Sequence, residues 1–385
     1  MSMNQNRLFK ILGFLVFYLT ISPISCYTSS LLEVIAYMLF IFLLIYNSAV
    51  LFDSNTKQDR RRTILLFIIA FVFPALIHVQ LPFVTDLLQW CVILLVISLK
   101  NEHREHILAI SIKLVSCLLL CSLFEYITGY ITGKSFTLVS TYSLGGMYTQ
   151  SIFNIYRCED LRYRFTALCD EPGALGALCG FIIAYLPMSK KNLYPLVICL
   201  VSGILSLSLA FFVYLLFILI YKTFVHELKL VYIIVIGVII VFMSAIFREE
   251  IQTQIFMRVA ETERLDNRSS DEVNKFVENI FNSTNALYGV GNKTAYALQE
   301  DNEHGNAGFK WKLYQYGIIG CGAYLWAMLL LYRKHRNRNV TFGFGILFFI
   351  MYFYTIGMWG VPLYMLLLFT TLSDSGENRI RIAKK

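Results

Sequence analysis

Long apolar runs constrain this chain more than any other feature of its sequence. Runs of 15 to 30 residues recur from Leu8 to Leu372, and about 20 apolar residues are enough for one helix to cross a bilayer. Inside lipid the backbone must satisfy its own hydrogen bonds, which leaves only helices or closed barrels. Since 57% of the residues are hydrophobic and 15% are charged, the sequence predicts an all-α fold, a polytopic helical membrane bundle.

The number and direction of the spans follow from the run lengths and from the positive charges between them. We predict about 12 membrane segments, with Lys and Arg marking the cytoplasmic loops and both termini inside. The candidate spans are 8–25, 31–52, 63–79, 82–99, 107–128, 171–188, the stretch 193–221, and then 230–247, 313–332, 340–357 and 359–372. The basic clusters are at 57–62, 100–104, 190–191, 333–338 and 379–385. No small-residue cleavage site follows the first run, so we expect a retained helix there rather than a signal peptide.

The 29-residue apolar stretch 193–221 breaks this alternation. Lysines flank it on both sides, namely Lys190, Lys191, Lys222 and Lys229. Both flanks therefore resemble cytoplasmic loops, whereas a single crossing would invert every later loop. Two crossings restore the alternation but leave about 14 residues each, roughly 21 Å of helix against about 30 Å of hydrocarbon. We predict two short or re-entrant helices broken near Ser206, Leu207 and Ser208; the alternative is one long tilted helix.

With two crossings, both long polar segments face the outside. Residues 129–170 form an outer loop within an N-terminal bundle, 1–247, and residues 248–312 precede C-terminal helices and a basic tail in 313–385. We call residues 248–312 the lid segment; its 65 residues hold 8 Lys or Arg and 11 Asp or Glu. A helical apolar stripe within 270–281 predicts an amphipathic helix lying on the membrane surface or on the ends of the bundle. The stripe consists of Val273, Phe276, Val277, Ile280 and Phe281, and Ser269 with Glu272 forms a capping box before it.

The sequence lacks the motifs of nucleotide-driven and metal-driven chemistry. It contains no P-loop, no G-x-S-x-G, no H-E-x-x-H, no Cys/His cluster and no aspartate pair of the nucleotide-sugar transferases. We therefore predict no cofactor and no metal. The net charge of +8 lies mostly in short loops and the C-terminal tail, which is typical of cytoplasmic anchoring and not of a nucleic-acid surface. Cys158 and Cys169 share a polar region, and a disulfide between them is left open.

A polar cluster lies at the mouth of the span that begins near residue 171. It comprises Arg164, Asp170, Glu171 and Pro172, with Gly176 one turn further on. Proline and acidic residues at a helix start are ordinary features of helix initiation. The functional alternative is that Arg164 and the two acids converge at a cavity on the membrane surface.

The order of these residues resembles a known signature. Arg164, Glu171, Pro172 and Gly176 match the R-F-x-G-x-x-x-E-P-x-x-x-G pattern of bacterial O-antigen polymerases (Wzy-type) and of the related O-antigen ligases. Ala167 stands where the family often has glycine.

A second match to the same family lies around the end of the lid segment. Members often have G-V-G, then His-Asn, then G-I-x-G; here the corresponding residues are Gly289-Val290-Gly291, His304 and Asn306, and Gly317-Ile318-Ile319-Gly320. This chain departs from the pattern by Gly305 between His304 and Asn306, and by the absence of an arginine beside Ser206 or Ser208.

The resemblance implies a membrane glycosyltransferase. It would polymerise oligosaccharide repeat units carried on undecaprenyl diphosphate into O-antigen, capsule or a related surface polysaccharide at the outer face of the cytoplasmic membrane. Its partners would be the undecaprenyl-diphosphate-linked donor and acceptor and the lipid bilayer, and the resemblance leaves room for a chain-length regulator protein. The donor arrives activated because the lipid diphosphate is the leaving group. The alternatives are a ligase that transfers finished polymer to an acceptor, and a flippase of the same lipid-linked sugar, which would show internal repeats.

This chemistry suggests roles for particular side chains. Without a metal, the departing diphosphate needs guanidinium groups, whose planar fork binds phosphate oxygens; the outward-facing candidates are Arg164, Arg258, Arg264 and Arg268, with Arg248 next. The acceptor hydroxyl needs a base. The first candidate is His304, because histidine has an ordinary pKa of about 6.5, and the second is Glu171. Tyr156, Tyr163 and Trp311 are candidates for stacking on sugar rings. The alternative for each lid arginine is a surface ion pair with one of the eleven acids of the segment, and the alternative for His304 is a solvated loop residue beside Asp301 and Glu303.

Two charged residues inside the fifth span have alternative explanations. Lys113 and Glu125 either mark a polar path through the bundle or lie near its two ends. In the second case Lys113 extends towards the cytoplasmic side, and Glu125 sits near the outer interface.

Overall fold

The computed structural model describes residues 5–21, 30–52, 99–132, 139–143, 146–157, 165–169, 172–187, 189–224, 271–301, 308–334 and 362–370, with isolated positions at 88–98 and 234–238. The helices in this part are α1 (Gln5–Ile21), α2 (Ser30–Tyr46), α3 (Ser48–Leu51), α4 (Asn101–Thr132), α5 (Pro172–Tyr185), α6 (Leu193–Leu205), α7 (Leu209–Phe224), α8 (Asp271–Glu278), α9 (Asn292–Asp301), α10 (Gly308–Lys334) and α11 (Pro362–Phe369). The described residues are thus mainly helical, as predicted.

The long helix α4 has one buried face and one exposed face. One face is buried against α1, α6 and α11, and the crossing with α1 is close because Gly13 lies against Ile110 and its carbonyl accepts a 3.0 Å bond from Ser111. The opposite face exposes large apolar side chains at helical spacing, namely Leu120, Phe124, Ile127 and Ile131. Such a surface is typical of a helix that faces lipid or another apolar partner.

Measured by length and composition, one described helix reaches membrane-spanning dimensions. It is the part of α4 from Asn101 to Gly129, and three shorter apolar helices run from Leu31 to Tyr46, Pro172 to Tyr185 and Leu193 to Leu205. The predicted spans 63–79 and 340–357 lie outside the described residues, as do most of 82–99 and most of 230–247. The number of membrane segments therefore stays a prediction.

The stretch 193–221 is broken where the sequence predicts. Helix α6 ends at Leu205 and α7 begins at Leu209, so Ser206, Leu207 and Ser208 form the break. The two helices have 13 and 16 residues, too short for a full crossing each if they stand upright. Both pack against α5, which lies at the centre of the main core.

The outer loop contains a small antiparallel sheet that the sequence analysis does not predict. Strands β1 (Val139–Ser143), β2 (Gly146–Gln150) and β3 (Ile155–Arg157) pair in the order β1-β2-β3. The register runs from Val139 opposite Gln150 to Ser143 opposite Gly146. Only the backbone of these strands is described, and it forms a three-stranded meander between α4 and α5.

Candidate functional site

None of the six predicted site residues lies in the part of the chain that the structure describes. These residues are Arg164, Glu171, Arg258, Arg264, Arg268 and His304; Arg248, Tyr163 and the cap residue Ser269 are outside it as well. Their flanks are described on both sides of the proposed site, at 165–169 and 172–187 for the first motif and at 271–301 and 308–334 for the lid. The geometry of these flanks shows what holds the two motifs in place.

The residue after Arg164 is held on the break between α6 and α7. The backbone amide of Phe165 donates a 3.1 Å hydrogen bond to the carbonyl of Leu205, the last residue of α6. The Phe165 ring is fully buried and meets Tyr126 of α4 edge-on, with 5.2 Å between ring centroids. The start of the motif is therefore fixed by a backbone bond on one side and an aromatic contact on the other.

The last residue of the motif packs on the same break. A Cβ atom at Gly176 would lie 2.9 Å from Cβ of Ser208 and 3.0 Å from Cβ of Phe211. These distances are below ordinary van der Waals contact, so α5 and α7 approach each other closely only because residue 176 has no side chain. Pro172 is the first residue of α5, the position where its missing N–H costs nothing.

Ala167 has a left-handed backbone conformation of the kind that favours glycine. Its φ is 49°, in the left-handed region that residues with a Cβ atom adopt at a cost of roughly 1–2 kcal/mol. It is also buried, so the surrounding core holds it in this conformation. The departure from the family pattern is thus accommodated with strain. Cys169, two residues later, is buried, and its suggested partner Cys158 lies outside the described residues.

The break itself is a polar inclusion in an apolar core. Leu207 has a φ of 48°, which turns the chain sharply between the two helices. The Ser206 hydroxyl donates a 2.6 Å hydrogen bond to the carbonyl of Gly203 and so caps the end of α6. Ser202 and Ser208 are buried, and within the described part of the chain their hydroxyls have no hydrogen-bond partner. Irregular backbone of this kind is tolerated at membrane depth where protein surrounds it.

Glu125 has a structural role that the polar-path interpretation does not include. Its buried carboxylate accepts hydrogen bonds from the backbone amides of Ile152 (3.3 Å) and Phe153 (2.8 Å) and from the side-chain amide of Asn154 (3.0 Å). These residues form the turn between β2 and β3. Glu125 therefore holds the turn between β2 and β3. Its neighbour Tyr126 contacts Phe165, the residue that follows Arg164. Lys113 is exposed, as expected for a side chain that extends along the helix surface.

The lid segment has a core of its own. Val273 of α8, Ala295 of α9 and Trp311 of α10 are buried together, and we call this cluster the lid core. Phe276 meets Tyr314 edge-on at 5.1 Å between centroids. The structure has a helix over Asp271–Glu278, within the stretch 270–281 for which an amphipathic helix is predicted, and this helix packs against α10. Trp311 is only 6% exposed, so the prediction that it stacks on a sugar ring is wrong; aromatic character alone does not distinguish a core residue from a platform.

The two glycine motifs of the second family match meet each other. Helix α10 is kinked at Gly317, whose φ is 67° and ψ −172°. The carbonyls of Tyr314 and Gln315, on the N-terminal side of this kink, accept hydrogen bonds from the amides of Val290 (2.9 Å) and Gly291 (3.2 Å). The amides of Ile318 and Ile319 donate instead to the carbonyls of Ala286 (2.9 Å) and Leu287 (3.1 Å). We call this set of four bonds the kink pairing; it replaces helical bonds by bonds to the loop between α8 and α9.

Glycine is required on both sides of the kink pairing. Gly289 has a φ of 73°, and a Cβ atom there would lie 2.5 Å from the carbonyl oxygen of Gln315. A Cβ atom at Gly317 would collide with the backbone of Leu287 and Gly289. The segments Gly289-Val290-Gly291 and Gly317-Ile318-Ile319-Gly320 therefore meet in one backbone contact between two distant parts of the sequence.

One described cation near this contact was not among the predicted site residues. Lys312 donates a 3.0 Å hydrogen bond to the side chain of Gln315 and lies 5.2 Å from the centroid of the Tyr316 ring. Tyr316 is buried in the main core together with Phe165 and Ala167. Lys312 is therefore half-buried where the lid segment joins the bundle. The alternation of lysines with aromatic residues in the run F-K-W-K-L-Y-Q-Y is the pattern in the sequence that could have indicated a cation packed on an aromatic ring.

These contacts hold the segments on either side of the predicted site residues. In the described residues, no group of three or more His, Cys, Asp or Glu side chains could hold a metal ion. No protein-family model matches the chain, and no curated protein has a significant similarity to it.

Proposed function

We propose that this chain is a membrane glycosyltransferase that polymerises lipid-diphosphate-linked oligosaccharide repeat units at the outer face of the cytoplasmic membrane. The observation that carries the proposal is the position of the two resembling motifs. Each of them packs on a break in a helix: the segment from Phe165 to Gly176 on the break after Leu205, and the segment 289–291 on the kink at Gly317. Two unrelated surface loops would not be expected to place their glycines against breaks in helices.

The membrane location has support from burial. The exposed apolar face of α4, from Leu120 to Ile131, has counterparts on α2, where Leu31, Ile35, Met38 and Phe42 are exposed at helical spacing. Large apolar surfaces of this kind are stable in contact with lipid and not in contact with water. In the proposed reaction the acceptor hydroxyl attacks the anomeric carbon, the bond to the lipid diphosphate breaks, and the hydroxyl proton passes to a base, with His304 before Glu171. Arg164, Arg258, Arg264 and Arg268 would stabilise the departing diphosphate.

Single alanine substitutions test the proposal in cells that lack the native chain. Arg164→Ala, Glu171→Ala, Arg264→Ala and His304→Ala are expected to shorten or abolish the polymer ladder on a gel while the protein accumulates at normal levels. Lys275→Ala is the matched control, because Lys275 is an exposed cation of the lid segment on α8 that has no proposed role. An intact ladder in all four variants would refute the site. Loss of unpolymerised units from the outer face would indicate transport instead of polymerisation.

A further inference from the structure

The tip of the lid segment leaves apolar side chains uncovered. Helix α8 ends at Glu278, before the last two residues of the apolar stripe predicted for 270–281. The side chains of these two residues therefore no longer share one face of a helix. Val273 and Ile280 point inwards and are buried, whereas Phe281 is 91% exposed. Leu287, in the following loop, is 50% exposed. The lid core therefore includes Val273 from the start of the stripe, whereas Phe281 at its end is exposed.

The same tip is free of charge in a segment that is otherwise rich in it. From Asn279 to Asn292 there is no Asp, Glu, Lys or Arg, although the lid segment as a whole carries 19 such residues in 65. The polar residues between Phe281 and Leu287 are Asn282, Ser283, Thr284 and Asn285, which are small and neutral. Such a segment can enter the headgroup region of a bilayer without the desolvation of a charge.

The kink pairing determines the depth of this tip. The carbonyls of Ala286 and Leu287 bond to the amides of Ile318 and Ile319, so the loop lies level with the start of the straight part of α10. The proposed topology puts Lys334 at the cytoplasmic end of α10, and the helical rise from Ile318 to Lys334 is about 24 Å. The hydrocarbon core is about 30 Å thick. With Lys334 at the inner boundary and the helix upright, Ile318, and with it the backbone of Leu287, lies about 6 Å below the outer boundary of the hydrocarbon.

The exposed tip also continues a lipid-facing surface. On α10, Ile318, Trp326 and Leu329 are exposed and share one face of the helix, at spacings of eight and three residues. The backbone of Leu287 lies beside the upper end of α10, because its carbonyl accepts the hydrogen bond from the Ile319 amide. Exposed apolar side chains thus occur both along α10 and on the lid tip beside its upper end.

We propose that the lid tip, residues 281–287, inserts Phe281 and Leu287 into the outer leaflet of the bilayer. The partner is the boundary between acyl chains and headgroups, and the inference rests on the membrane location in the proposed function. The insertion places α8 and α9 beside the membrane surface, at the height where the diphosphate of a lipid-linked sugar lies. The lid segment is then attached to the membrane at two points, the kink pairing and the tip.

Fluorescence quenching in proteoliposomes tests this placement. Cysteine is introduced into the full-length chain as Phe281→Cys, Lys275→Cys or Phe124→Cys and labelled with an environment-sensitive dye, and the signal of the unsubstituted chain, which has its own cysteines, is subtracted. Phosphatidylcholine brominated near the headgroup is expected to remove most of the dye fluorescence at 281, and aqueous iodide to remove little. At 275, on exposed α8 surface, the expected order is reversed.

The dye at position 124 separates failure of this inference from failure of its premise. Phe124 is 75% exposed on α4, so brominated lipid quenches it if the bundle is embedded at all. Quenching by lipid at 124 together with quenching by iodide at 281 would overturn the insertion and leave the membrane location standing. Absence of lipid quenching at both positions would overturn both. Spontaneous disulfide-linked dimers of the Phe281→Cys chain would indicate a second copy at the tip and would also overturn the insertion.

Discussion

Substitution of Gly317 by alanine should detach the lid segment from α10. A methyl group at this position would lie 2.5 Å from the carbonyl atoms of Leu287, and backbone atoms cannot rotate away as a side chain can. The combination of φ 67° and ψ −172° is accessible essentially only to glycine, and other residues adopt it at a cost of roughly 1–3 kcal/mol. Relief of the clash requires the loss of about two bonds of the kink pairing, at about 1 kcal/mol each. The expected destabilisation is therefore roughly 3–5 kcal/mol.

Gly322 provides the matched control within the same helix. A Cβ atom there meets nothing within 4 Å, so Gly322→Ala should be neutral or gain up to about 1 kcal/mol of helix propensity. The assay is limited proteolysis of the purified full-length chain, with the cleavage rate within 271–301 as readout, together with the midpoint of thermal unfolding. Gly317→Ala should be cleaved faster and unfold at lower temperature than Gly322→Ala. If the two variants behave alike in both measurements, the kink pairing does not hold the lid segment.

Three further substitutions test the scaffold around the first motif. Ala167→Gly should raise the free energy of unfolding by roughly 0.5–1 kcal/mol, because relief of about 1–2 kcal/mol of strain exceeds the entropy cost of glycine; an unchanged or lower unfolding temperature would contradict this. Gly176→Ala should lower stability by roughly 1–3 kcal/mol through overpacking against Ser208, and by more than Gly180→Ala, whose nearest neighbour is the Tyr214 ring at 3.2 Å. Equal unfolding temperatures for the two glycine variants would count against the close approach of α5 and α7. Glu125→Ala leaves three donors without an acceptor and should cost roughly 2–4 kcal/mol. It should also speed hydrogen exchange at Ile152 and Phe153, whereas Lys113→Ala should leave both rates unchanged.

Two features of the structure could be predicted from the sequence, namely the break within 193–221 and the helix of the lid segment. The break at Ser206 to Ser208 follows from the lysines that flank 193–221, because each crossing reverses the side on which positive charge is expected. The helix Asp271–Glu278 follows from the spacing of Val273 and Phe276. In both cases the signal lies within one continuous stretch of residues.

Contacts between distant stretches were not predictable in the same way. The kink at Gly317 depends on carbonyls about 30 residues earlier, and neither partner shows in its own sequence which backbone it will meet. The left-handed conformation of Ala167 is imposed by the surrounding core, against the preference of alanine. The end of α8 three residues before Phe281 reverses the environment of that side chain, and helix ends are difficult to place from a pattern alone. The six predicted site residues stay predictions.

The two helix breaks have a consequence for the way the chain is made. The carbonyl of Leu205 receives its donor from Phe165, and the kink in α10 receives its partners from residues 286–291. In both cases the partner lies upstream, so it has already been synthesised when the broken helix leaves the ribosome. An unsatisfied peptide group costs several kcal/mol in lipid, and here neither break has to wait for later residues. The backbone bonds from Phe165 to Leu205 and between residues 286–291 and 314–319 therefore need no residue after 334, and a truncation there would leave them in place.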